Sequence, residues 1–97
     1  MSMNIVTSQS EIPKAYAYVT VIDKFMSGWG HARGKKNKLI FVCENYKEVD
    51  IVFKNCQNRD DFIYVNFCKN KPKLHSHQLT QVKTKEDYPN FYKPNAF

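Results

Sequence analysis

No run of apolar residues in this chain approaches the ~18 needed to span a bilayer. The N-terminal MSMNIVTSQSEIPK also lacks the apolar stretch of a secretory signal. Neither membrane insertion nor secretion is expected, and the compartment implied is the cytoplasm. Cysteine is scarce: Cys43, Cys56 and Cys68 are odd in number, far apart and set in apolar segments, which excludes a disulfide framework and describes buried free thiols. Beside His75-x-His77 there is no C-x-x-C pair and no Cys/His set at finger spacing, so neither a metal nor a cofactor is expected. Apolar surroundings should raise the thiol pKa values, which argues against nucleophilic use with His31, His75 or His77. Asp60 and Asp61 read as a helix-terminating turn rather than an acid/base pair, and no enzymatic activity is expected.

Glycine is as scarce as cysteine, and its placement is uneven. Gly28, Gly30 and Gly34 are the only three, and they fall within seven residues of the stretch 25–42 (FMSGWGHARGKKNKLIFV), which also holds the only tryptophan, Trp29. Acidic side chains are missing between Lys24 and Cys43, while His31, Arg33, Lys35, Lys36 and Lys38 follow in quick succession. Phosphate-binding loops place such glycines ahead of a helix N-terminus, whereas a strand-like run follows here. A basic, glycine-flexed hairpin loop suits nucleic acid better, because aromatic rings stack on bases at ~1–3 kcal/mol each and cations track the backbone. The plainer alternative has Trp29 folded under the loop as an anchor, with solvated lysines outside.

The net charge of +6 is concentrated in two places. Residues 1–23 carry −1, 24–43 carry +5, 44–68 carry −2, 69–85 carry +5 and 86–97 carry −1. Phosphates reward local rather than average charge, so two basic blocks favour a polyanionic partner. The second block comprises Lys69, Lys71, Lys73, His75, His77, Lys83 and Lys85; lysines that keep an edge strand soluble are the alternative. Whether the two blocks share one face is a question of tertiary structure.

Ninety-seven residues supply one core, and a composition 42% hydrophobic and 14% aromatic is that of a folded chain. Residues 1–13 are Ser-rich and non-periodic and read as a flexible leader to a single domain at 14–97. The run 15–25 (AYAYVTVIDKF) is a strand apolar on both faces and hence central, and 38–43 (KLIFVC) is a second, joined to it by a long hairpin loop. Asn45 with Glu48 three residues on is a variant capping box, and Val49, Val52, Phe53 and Cys56 recur at helical spacing, which predicts a helix over 46–57. Residues 62–68 (FIYVNFC) read as a third strand and 78–84 (QLTQVKT) as a fourth, more polar one at an edge. The aromatic segment 85–97 is too apolar for a free tail and should fold back on the core, with a helical turn near 86–88. The architecture expected is α+β: a two-layer sandwich with a mostly antiparallel four-stranded sheet in the order ββαββ, the third strand beside the first, and one helix on one face.

Across YVTVIDKFMSGWGHARGKKNKLIFVCENYKEV, RDDFIYVNF and the ending EDYPNFY, over residues 14–93, the chain resembles small uncharacterised proteins of bacteriophages and related mobile elements. That group supplies no catalytic residues to carry over. What the resemblance implies is a small accessory protein that binds nucleic acid or a host nucleoprotein, or else one that binds and inhibits a host enzyme such as a defence nuclease, in the manner of anti-CRISPR or anti-restriction proteins. The residues that would serve either partner are Trp29, His31, Arg33, Lys35, Lys36 and Lys38, supported by Lys69, Lys71 and Lys73.

Overall fold

The computed structural model describes residues 5–6, 8–23, 36–60, 62–74 and 78–94. Its elements are β1 (Ile5–Val6), β2 (Ala17–Asp23), β3 (Lys36–Cys43), α1 (Tyr46–Gln57), β4 (Phe62–Cys68) and β5 (Gln78–Lys83), with 3-10 turns at Gln9–Glu11 and Pro89–Tyr92. The fold class is α+β, with the ββαββ succession preceded by the two-residue β1. Six of the seven residues of β2 are buried, as its two apolar faces require of a central strand. It pairs antiparallel with β3 on one side, from Ala17↔Cys43 to Asp23↔Asn37, and with β4 on the other.

The strand order is β1-β5-β3-β2-β4, and the expected antiparallel character is corrected at one pairing. β5 lies parallel to β3, from Lys36↔Gln78 to Phe41↔Lys83, so the sheet is mixed. β4 occupies the far side of β2, so the chain crosses three strand spacings and most of a strand length, about 25 Å, to enter β5 beside the start of β3. Nine residues separate Cys68 from Gln78, and their reach of about 30 Å permits the crossing.

α1 is a local product of its sequence. Asn45 Oδ1 accepts the Glu48 N–H at 2.9 Å, and the Glu48 carboxylate accepts the Glu44 N–H at 2.8 Å, one residue earlier than a standard capping box. Val49, Val52 and Cys56 are buried against Ala17, Val19, Val21, Leu39 and Phe41 of the sheet. Phe53 is only partly covered, and Asn55 takes a core position instead, donating to the Phe91 and Lys93 carbonyls at 2.9 and 2.8 Å. This ties the C-terminal segment to the helix. Phe91 lies against Phe41 and stacks on Phe62, with ring centres 4.8 and 5.8 Å away, and the Tyr92 hydroxyl donates to the Val42 carbonyl at 2.7 Å. Burial, with Cys43 and Glu48 nearby, raises the Tyr92 pKa far above the usual tyrosine value, so this hydroxyl remains a donor. The helical turn expected near 86–88 is a turn at 85–87 ahead of the 3-10 turn, and residues 95–97 lie outside the described part.

The other face of the sheet is covered as well. Val6 pairs with Thr80 of β5, and Val6 and Ile12 are buried with Tyr18, Ile40 and Val82 in a second apolar cluster. Tyr18 accepts from the Ala15 N–H at 3.0 Å and donates to the Pro13 carbonyl at 2.6 Å. The described part of 1–13, read from sequence as a flexible leader, is thus folded onto the sheet. Val6 and Ile12 cover part of this face, whose strands are already apolar.

Glu48 also joins α1 to the segment after β5, since Lys85 Nζ lies 2.9 Å from Glu48 Oε2 and 3.2 Å from Glu44 Oε2. Burial alone would raise the Glu48 carboxyl, but the Glu44 amide and the Lys85 ammonium outweigh it and hold the pKa below the usual glutamate value. A folded value below the unfolded one contributes stability above the unfolded pKa of about 4.3, and that contribution is lost as pH falls through the folded value. Wild type and Glu48→Gln are therefore expected to differ in denaturant stability at neutral pH and to converge as the pH falls below the folded value of Glu48. Curves that stay parallel throughout would show that this pair contributes nothing.

Candidate functional site

Trp29, His31, Arg33 and Lys35 lie outside the described residues, as does the rest of the expected hairpin loop. Lys36 is described as the first residue of β3, and Lys38, Lys69, Lys71 and Lys73 are described in full. Strand alternation sets Leu39, Phe41 and Cys43 toward α1 and Ile40 and Val42 away from it, which sends Lys38 to the face opposite the helix. There it is partly buried. Burial lowers its pKa below the usual lysine value, with Cys68 acting weakly the other way.

Lys69, Lys71 and Lys73 reach the same face by another route. β4 ends at Cys68, and the described part of the connection, 69–74, passes over the second apolar cluster, where Cys68 and Leu74 pack and Pro72 is buried. Gln9 holds it down, donating from Nε2 to the Lys71 carbonyl at 2.8 Å and the Pro72 carbonyl at 3.3 Å. Lys73 is exposed and Lys71 partly so, while the Lys69 ammonium stands 5.6 Å from the centre of the exposed Tyr16 ring. Lys38 of the first block and Lys69, Lys71 and Lys73 of the second thus belong to one face.

Lys83 and Lys85, the remaining described lysines of the second block, are used differently. Lys83 Nζ donates to the Tyr88 hydroxyl at 2.8 Å and sits 4.0 Å from that ring centre, and Lys85 is held by Glu44 and Glu48. Of the described acidic side chains, Glu44, Glu48, Asp50 and Asp60 belong to α1 and its flanking turns, Asp23 ends β2, and Glu86 and Asp87 follow β5; Glu44, Glu48 and Glu86 line a pocket together with Lys14 and Tyr16. In the opposite layer, formed by 8–15, 69–74 and Lys38, the described ionisable groups other than cysteine and tyrosine are Lys14, Lys38, Lys69, Lys71 and Lys73 against Glu11. Glu11 is engaged locally by the Ser8 N–H and hydroxyl.

No protein-family model, curated protein sequence or solved structure matches this chain. The chemistry of the site must be read from its own residues. Clustered ammonium groups beside an exposed ring make a surface for binding anions, and the thiols are poorly placed as nucleophiles. Burial, with Glu48 adding to it, pushes Cys43 up to about 12, and burial raises Cys68 as well, with Lys38 opposing. Among the described residues no three His, Cys, Asp or Glu side chains gather as a metal site, and His31, His75 and His77 lie outside them. None of the described helices is long and apolar enough to cross a membrane.

One member of the surface was missed in the sequence, Lys14, which precedes β2. Tyr16, immediately before β2, is one of the tyrosines (with Tyr18, Tyr64, Tyr88 and Tyr92) that the sequence offers as a stacking platform or a protein interface. Alternation along 15–25 does set Tyr16 apart from Ala17, Val19 and Val21, but its meeting with Lys69 depends on how β4 ends.

Proposed function

We propose that this protein binds nucleic acid through the face of its sheet opposite α1. The observation that carries the reading is the convergence of Lys38 with the segment holding Lys69, Lys71 and Lys73 on one face. Lysine ammonium groups spread over such a surface suit the repeating charge of a phosphate backbone. Tyr16 beside Lys69 adds a ring on which an unpaired base can stack. Lys38 favours an anion for a further reason: partial burial has already removed water from its ammonium, so a phosphate there offsets a desolvation cost the fold has incurred. Trp29, His31, Arg33, Lys35 and Lys36 extend this reading, because the chain between β2 and β3 leaves and re-enters the sheet at the end from which Lys38 projects.

The proposal is tested by titrating labelled single- and double-stranded oligonucleotides with the full chain at increasing salt. Binding that weakens linearly on a log–log plot, with a slope of about −3 to −5, corresponds to release of roughly four to six counterions. Salt-insensitive binding, or no binding at low salt, overturns the proposal.

A further inference from the structure

The parallel pairing of β5 with β3 brings three chain segments to one end of the sheet. β3 and β5 both finish there, at Cys43 and Lys83, and β2, antiparallel to β3, begins there at Ala17. Residues 14–16 and 84–86 therefore stand on either side of the β3 terminus, two strand spacings or about 10 Å apart. A cavity of about 410 Å³ opens at this end, lined among others by Lys14, Tyr16, Glu44, Glu48, Lys85 and Glu86. Its volume falls in the ~300–1,000 Å³ range of small-molecule sites.

Most of the charge around this cavity is already committed. Lys85 holds Glu44 and Glu48 at 3.2 and 2.9 Å. What remains is one carboxylate, Glu86, and one ammonium, Lys14, neither of which makes a hydrogen bond or ion pair among the described residues, together with the Tyr16 ring, 44% exposed. Lys14 and Tyr16 also belong to the basic surface, so the cavity opens at its margin. Hydrogen-bond chemistry then selects a base. An ionised carboxylate only accepts, and it is best matched by two donors side by side. Guanine alone offers such an edge, through N1–H and the N2 amino group. Adenine and cytosine set a ring-nitrogen lone pair beside their amino group, and thymine and uracil flank one N–H with carbonyls. The guanine edge is free only when the base is unpaired.

We propose that this cavity reads an unpaired guanine within a strand, with Glu86 accepting from N1–H and the N2 amino group, Tyr16 stacking on the base and Lys14 meeting the adjoining phosphate. The inference rests on the nucleic-acid reading above and adds to it a single-stranded target and a base preference. It also gives carboxylates at the edge of a phosphate-binding surface a role, since acceptors are what a guanine edge requires.

The test is to titrate the full chain, at one low salt concentration, with short all-thymine oligonucleotides that carry a single central guanine, hypoxanthine or adenine. The guanine strand is expected to bind about tenfold more tightly than the adenine strand, the effect of one bidentate pair. Hypoxanthine, which keeps N1–H but lacks the amino group, should fall between them. Glu86→Gln, at an exposed position, should bring the guanine-to-adenine ratio to about one. The ratio is the readout because loss of a negative charge raises affinity for every strand alike. Guanosine monophosphate should compete only at about millimolar concentration, since it lacks the phosphates that Lys69, Lys71 and Lys73 would hold. Competition at about micromolar concentration would make the free nucleotide the ligand and overturn the strand as occupant. Equal affinity for the three strands overturns the inference while leaving salt-dependent binding by the basic face intact, and so does a preference that Glu86→Gln does not alter. Absence of binding to all three overturns both readings.

Discussion

Replacing Lys69, Lys71 and Lys73 together by glutamate is expected to lower oligonucleotide affinity at low salt by about a thousandfold and to flatten the log–log salt slope by about 2 to 3. An ammonium–phosphate contact is worth about 1 kcal/mol in water, and reversing the sign roughly doubles the change. Three reversals, reduced by screening, come to about 4 kcal/mol, or about a factor of a thousand. The fold should tolerate them. Lys69 and Lys73 are exposed, Lys71 is partly so, and Gln9 holds this segment through the Lys71 and Pro72 carbonyls, which the substitutions leave in place. Lys47→Glu with Lys54→Glu, on exposed positions of α1, supplies the charge control. If that pair weakens binding as much per charge as the triple variant, net charge and not this face governs affinity.

Ile12→Ala is expected to destabilise the protein by about 2 to 5 kcal/mol, since Ile12 is 1% exposed among Tyr18, Ile40 and Val82 and its truncation leaves a cavity under a covering segment. In a domain of this size each kcal/mol moves the melting temperature by about 4 to 8 °C, so the loss is readily seen by thermal or denaturant unfolding. Removing residues 1–13 should cost more, because β1 and the Gln9 contacts go with Ile12. The truncated chain would also lose what holds 69–74 to the sheet, so any folded fraction should bind oligonucleotide more weakly. Unchanged melting in both variants would return this stretch to a dispensable leader.

These two results concern the part of the molecule hardest to read from its sequence. α1 was legible because its signals are local: Asn45 and Glu48 cap it, and Val49, Val52 and Cys56 recur on one face within a dozen residues. β2 was legible as a central strand because apolar residues alternate on both of its sides. Ile12, in contrast, is a single apolar residue in a polar stretch, and no period marks it as core. Asn55 looks like a surface position, since the carbonyls that satisfy it belong to Phe91 and Lys93. The edge chosen by β5 leaves no mark in QLTQVK, because alternation is the same whether a strand runs parallel or antiparallel to its neighbour.

The candidate site divides along the same line. Parity within KLIFVC sets Lys38 on the side of Ile40 and Val42, and that much can be counted from sequence. Its convergence with Lys69, Lys71 and Lys73 follows from the path of the chain across the sheet, which depends on where β4 and β5 pair. The aromatic surplus was legible in number, but which rings stay on the surface was not. Tyr18 and Tyr92 are internal hydrogen-bonding anchors, Tyr88 receives Lys83, and Tyr16, Tyr46, Tyr64 and Phe67 remain on the surface.

The most direct test of the central proposal is to follow backbone amide resonances of the full chain by NMR while a short oligonucleotide is added at low salt. The account predicts that the largest shifts fall at Lys38, at Lys14 and Tyr16 and along 69–74, and that the outer face of α1 at Lys47, Asp50 and Lys54 stays unchanged. Shifts centred on α1, or spread evenly over every lysine, would contradict it.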